Sequence, residues 1–115
     1  MSEAIYIVGG ARTPMGGLMG DLASVSAPEL GSTAIKAAVE RANLDAAAID
    51  EVFMGCVLPA GLKQCPARQA ARYAGVPDHV GAVTVNKACG SGMQAKIFGI
   101  DSIRAGTNSI AIAGG

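Results

Sequence analysis

Tryptophan is absent from the 115 residues, and two Phe and two Tyr are the only aromatic side chains. The chain therefore has no row of rings on which nucleobases could stack. It also lacks an excess of charge of either sign: nine Lys and Arg balance nine Asp and Glu, and the pI lies near 6.5. With no surplus of cations to hold a phosphate backbone, the composition argues against nucleic acid as a partner. No apolar run approaches the length needed to cross a bilayer, so no membrane partner is expected. The opening MSEAIYIVGG has an acidic residue and no basic region ahead of its apolar stretch, and reads as neither a signal peptide nor a basic transit peptide. Cysteine is scarce and odd in number. Cys56, Cys65 and Cys89 match no zinc spacing, and a reducing cytoplasm is the simplest compartment for them.

Small residues are plentiful instead. Counting along the chain gives 22 Ala and 16 Gly, a third of the total, while half of all residues are hydrophobic. The length suits one domain rather than two. A core with so little aromatic mass must form by close approach of backbones, which favours layered α/β packing.

The order of elements agrees with that class. Ala4 to Val8 (AIYIV) reads as a buried strand ending at Gly9-Gly10. A long Gly-, Pro- and Ser-rich connection follows. Ser26-Ala27-Pro28-Glu29 then predicts a helix start, with Ser26 as cap and the helix running to about Asn43. Leu30, Ala34, Ala37, Ala38 and Arg41 share one side of it. Glu51 to Leu58 predicts a second strand, and Pro66 opens a second helix that Gly75 closes. Ala82 to Asn86 predicts a third strand. A third helix is expected from Cys89 or just after it to Arg104-Ala105-Gly106, with Met93, Ile97, Ile100 and Ile103 or Arg104 in helical period. Ser109 to Ala113 closes the series as a fourth strand. Alternation of this kind predicts a mostly parallel sheet with helices on both faces.

Five features are candidates for chemistry. The glycines after the first strand fail the dinucleotide pattern, because Ala-Arg-Thr-Pro follows Gly9-Gly10 and the helix begins many residues later. A connection this long nonetheless suggests an interface or a site margin, with Arg12 an ordinary surface arginine. His79, the only histidine, lies before the third strand while Cys89 lies beyond its other end; five extended residues place them roughly 15 Å apart, which speaks against a Cys–His dyad. Cys56, within an apolar strand, reads as a small buried hydrophobe, and Cys65 shows no evident chemistry.

Cys89 differs from both. It sits where a strand hands over to a helix, the edge of an α/β sheet where sites form. Unpaired N–H groups and the positive end of a helix dipole favour a thiolate there and can stabilise an oxyanion. Gly90 and Gly92 leave room for an acyl group. On these grounds alone a nucleophile and a structural turn cysteine fit equally well.

The segment VNKACGSGMQA, Val85 to Ala95, resembles the nucleophile segment of the thiolases. ARTPMG, the helix from Pro28 to Asn43, DEVFMGCVLPAG, the PARQAA helix and RAG…IAIAGG resemble thiolase landmarks in the right order. MGCVLPAGLKQCPARQA is most similar to the biosynthetic acetoacetyl-CoA type. The CGSG context favours thiolases over the related ketosynthases. The resemblance spans nearly all of residues 1–115 and maps them onto the N-terminal part of the thiolase N-terminal domain, less than a third of the family's polypeptide and four of that domain's five strands.

That resemblance implies an acyltransferase in which Cys89 takes an acetyl group from acetyl-CoA. A second acetyl-CoA, deprotonated at its α-carbon, then attacks to give acetoacetyl-CoA, or the reverse thiolysis runs. It implies no metal or redox cofactor, an acyl-CoA substrate and a homo-oligomeric full-length enzyme. The activating histidine, the second cysteine and the asparagine of the oxyanion motif are expected from the second half of the family's polypeptide, not from Cys56 or Cys65. The alternative is a catalytically incomplete thiolase-like fragment that serves as an assembly or interaction piece. Lys63, Cys65, Gly81 and Lys96 depart from the family's habit. Lys96 is expected to snorkel outward from a buried helix.

Overall fold

Helices and strands alternate in the computed structural model, which describes residues 4–115. In chain order these are α1 (Ala27–Arg41), β1 (Glu51–Gly55), α2 (Pro66–Tyr73), β2 (Gly81–Val85), α3 (Ser91–Arg104) and β3 (Ala111–Gly114), with a short 3-10 turn at Ala46–Ala48. β1 lies between β2 and β3, and both pairings are parallel. The register sets Glu51 beside Gly81 and Ala111, so the strands end within one residue of each other, Gly55 facing Val85 and Met54 facing Gly114.

Parallel neighbours require crossovers, which helices supply here. Alternate side chains of β1 then serve opposite faces. Val52 and Met54 join Ile35 of α1, Ala70 and Ala71 of α2, and Ile49, Val76 and Val80 in the larger core. Phe53 faces the other way and meets Val85 and Ala95 of α3. Helices cover both faces of the sheet, as the alternation of elements predicts.

Local chemistry explains the element ends. Ser26 Oγ accepts from the Glu29 N–H at 3.3 Å, and Pro28 lies in the first turn of α1. Pro66 opens α2, and Gly75, at φ +87°, takes the left-handed turn beyond its end. The start of β3 is fastened by Asp50, whose Oδ2 accepts from the N–H groups of Ser109 at 2.7 Å and Ile110 at 2.9 Å. Those bonds, Ile110's first, hold its carboxyl below the ordinary value of 3.8.

Three expectations need correction. Ala4 to Val8 pairs with no strand among the described residues, and Tyr6, Ile7 and Val8 are exposed. An apolar run announces a preference for burial, but a strand also needs an edge to pair with. This segment instead leads into backbone packed on α1: a Cβ on Gly9 would lie 2.9 Å from Ala38 O, and Arg41 donates to Gly10 O at 3.0 Å. Second, β1 ends at Gly55 rather than Leu58, because beyond Gly55 the chain turns off the ladder toward Pro59. Third, α3 buries Ser91, Ala95 and Gly99, while Met93 and Ile97 are exposed. Lys96 is exposed on the same helix and needs no partner.

Candidate active site

The strands of a parallel sheet deliver backbone to one edge, and here β2 delivers Asn86 to Gly90, the turn that opens α3. Cys89 is exposed on that turn, whereas Cys56 and Cys65 are half-buried; all three are free thiols. The turn is not a slack loop. Asn86 Oδ1 accepts from the Ala88 N–H at 3.1 Å, and its Nδ2 donates to Val57 O at 3.3 Å. Gly90 N–H donates to Lys87 O at 3.0 Å. Ala88 adopts φ +48°, a left-handed conformation uncommon for a residue with a Cβ. Ser91 is 5% exposed, and its Oγ accepts from Lys87 N–H at 2.8 Å and donates to Ala88 O at 2.6 Å.

Glycines let three backbones meet beneath this turn. A Cβ on Gly55 would stand 2.6 Å from the Ser91 carbonyl carbon, and one on Gly92 would stand 3.0 Å from Gly115 O. A Cβ on Gly115 would stand 2.7 Å from Gly55 Cα. The ends of β1 and β3 thus press against the first turn of α3, and side chains at these positions would hold them apart.

Electrostatics at the same place favour negative charge. Gly90 caps α3 without a side-chain acceptor, in contrast to Ser26 on α1. The Ser91 N–H turns back to Ala88 O at 3.2 Å, which leaves the N–H groups of Gly92 and Met93 in the first turn of α3 to water or a ligand, at the positive end of the dipole. Lys87 Nζ, 2.8 Å from Gln94 Oε1, keeps a cation beside this turn. An open groove of about 500 Å³ begins at Asn86 and Lys87 and runs past Val83 and Phe98, along the free edge of β2.

Of the remaining candidates only Cys56 borders this turn, through its backbone. His79 is exposed in the loop before β2, so the length of β2 separates it from Cys89. Arg12 is exposed in the long connection. Cys56 donates its backbone N–H to Val85 O at 2.9 Å and borders a small cavity beside Pro28 and Pro66. Cys65 precedes α2 at φ +41°, with its Sγ 3.4 Å from Thr84 Oγ1, which in turn accepts from Ala67 N–H at 3.1 Å. Sequence reasoning missed Asn86, Ser91 and Gly55. The signal was an Asn two residues before a turn Ala and a Ser in the first position of a helix.

Residues 5–115 match the family model described as thiolase, N-terminal domain. The chain belongs to the thiolase family. It is 54% identical over 111 residues to acetyl-CoA acetyltransferase 2 of Arabidopsis thaliana, a match that covers 96% of this chain and 28% of that protein. The cytosolic acetyl-CoA acetyltransferase ERG10 of Gibberella zeae is 53% identical over 111 residues, again covering 96% and 28%. Among solved structures, the Acat5 thiolase of Ascaris suum in complex with coenzyme A superposes with a TM-score of 0.88 at 40% identity, over 90% of this chain and 27% of that one. The α/β thiolase fold is thereby established for this chain, which spans less than a third of the length of these relatives.

Proposed function

We propose that this thiolase chain supplies the nucleophile of an acetyl-CoA C-acetyltransferase, and that Cys89 is that nucleophile. The observation that carries the reading is the placement of one exposed thiol on a tethered, left-handed turn before an uncapped helix, where the strands of the sheet end. In the first half-reaction the Cys89 sulfur attacks the thioester carbonyl of acetyl-CoA. The carbon–sulfur bond to CoA breaks, and CoA leaves as its thiol once it takes up the proton that Cys89 released. Free N–H groups at the start of α3 suit the oxyanion of the tetrahedral intermediate. In the second half-reaction an acetyl-CoA carbanion attacks the acyl-cysteine to give acetoacetyl-CoA and return the thiolate; thiolysis is the reverse. Neither half-reaction calls for a metal or a redox cofactor.

Relatives named acetyl-CoA acetyltransferases and a thiolase solved with coenzyme A support the acyl-CoA substrate. A cytosolic relative and three free thiols support the cytoplasm as location. His79, the one histidine, lies the length of β2 from Cys89; we assign the activating base, the second half-reaction and homo-oligomer assembly to the longer polypeptide that the relatives have. The alternative, an interaction piece without catalysis, draws its support from the exposed apolar side chains of Tyr6, Ile7, Met15 and Leu18.

Intact mass after incubation with acetyl-CoA, followed by peptide mapping, separates the two. One acetyl group on Cys89, and none on Cys56 or Cys65, is the expected result. Acetylation spread evenly over the three thiols, or absent under conditions where Cys89 reacts freely with iodoacetamide, would overturn the nucleophile assignment for this chain.

A further inference from the structure

We infer that Ser91 is a positioning residue for the Cys89 nucleophile, acting through the backbone on either side of Ala88, with Asn86 as a second tether to the same turn. This inference deepens the proposed function and rests on it. Ser91 is one of few polar side chains buried in the chain, and both hydrogen-bonding capacities of its hydroxyl are used on the turn. One bond fixes the Lys87 N–H and the other the Ala88 carbonyl, at 2.8 and 2.6 Å. Asn86 Oδ1 fixes the Ala88 N–H at 3.1 Å. Both polar backbone groups of Ala88 are therefore held by side chains, and the Ala88 carbonyl also accepts from Ser91 N–H at 3.2 Å.

Such over-determination is what a left-handed non-glycine residue requires to persist. The left-handed step at Ala88 turns the chain out of the line of β2, so Cys89 arrives exposed just ahead of α3. Without the Ser91 hydroxyl, Ala88 loses one of its two side-chain tethers and is free to relax toward ordinary backbone angles, carrying the sulfur away from the helix start. Ser91 itself cannot retreat, because its backbone lies against Gly55: a Cβ on Gly55 would stand 2.8 Å from Ser91 Cβ. The hydroxyl is thus anchored from behind and directed at the turn.

The test measures the iodoacetamide rate at Cys89 in the folded chain relative to the same cysteine in urea, by peptide mass. This ratio removes the effect of simple exposure. Cys65, half-buried in the fold, reports unfolding in the same sample. In the parent chain Cys89 reacts faster folded than unfolded. Ser91→Ala lowers that ratio by about tenfold, with no rise at Cys65. Ser91→Thr, which keeps the hydroxyl, restores most of it. A mainly structural role would instead raise the Cys65 rate along with the others. If Ser91→Ala does loosen the fold, Asn86→Ala, at an exposed position, decides: it too lowers the Cys89 ratio while leaving Cys65 unchanged. A Cys89 ratio that survives both alanine substitutions overturns the positioning role and leaves the nucleophile assignment standing. Equal losses in Ser91→Ala and Ser91→Thr overturn it as well, since volume rather than the hydroxyl would then matter. No acceleration in the parent chain sinks both readings together.

Discussion

A single methyl group at position 55 would land 2.6 Å from the carbonyl carbon of Ser91, and backbone cannot yield as a flexible side chain does. Gly55→Ala must push the end of β1 and the first turn of α3 apart. The expected result is a loss of about 1–3 kcal/mol in denaturant unfolding, the range of overpacked cores, together with slower acylation of Cys89. Wild-type stability in this variant would show that the two backbones are not pressed together. The residue-scale site was only partly legible in sequence. Position between a strand and a helix left Cys89 equally a nucleophile or a turn cysteine, and the resemblance of VNKACGSGMQA to the thiolase nucleophile segment made it the candidate. Gly55 did not stand out, because nothing near it in the chain says that residue 91 will lie against it. Ser91 and Asn86 were hidden for the same reason: their work is done by hydrogen bonds to backbone, and any Ser or Asn in a turn offers those.

At the scale of elements, the order and type of the three α-helices and three strands from Ser26 onward followed from caps, prolines, glycines and apolar runs, yet the 3-10 turn at Ala46–Ala48 and the buried face of α3 did not. Reading large apolar residues as the inner face picks Met93 and Ile97, and both are exposed. The true inner face is Ser91, Ala95 and Gly99, with Gly99 approaching Ala113 and Phe53. Small residues were chosen because α3 must lie close to β1 and β3, and a chain with a third of its residues Ala or Gly packs by proximity. This inversion predicts opposite responses at neighbouring positions. Ala95→Leu, at a site with no exposure, is expected to destabilise by about 1–3 kcal/mol. Met93→Ala is expected to change stability by no more than about 0.5 kcal/mol. Thermal or urea unfolding of the pair checks both, and a larger loss in Met93→Ala would return α3 to the face that its hydrophobic period suggests.

The whole molecule carries apolar surface that its own core does not use. Tyr6, Ile7 and Val8 are 78%, 89% and 65% exposed, and Met15 and Leu18 continue the same arm. Among the described residues β2 has a free edge, where the exposed Val83 and Phe98 of α3 line one groove; Ile97 of α3 is exposed as well. The two regions differ physically. The free edge offers unpaired backbone groups, whereas the arm offers side chains that contribute little to the fold of this chain. Exposed apolar surface on this scale predicts concentration-dependent self-association, measured by light scattering after gel filtration. The combined change of Tyr6→Ser, Ile7→Ser, Val8→Thr, Met15→Ser and Leu18→Ser separates the two sources. If the arm drives association, the variant is monomeric at concentrations where the parent is not, and its unfolding midpoint is unchanged because those side chains pack against nothing in the core. If the variant associates as strongly as the parent, the edge of β2 and the exposed face of α3 are responsible. A parent chain that stays monomeric throughout and unfolds in one sharp transition would refute self-association by either route, and with it the main support for an interaction piece without catalysis.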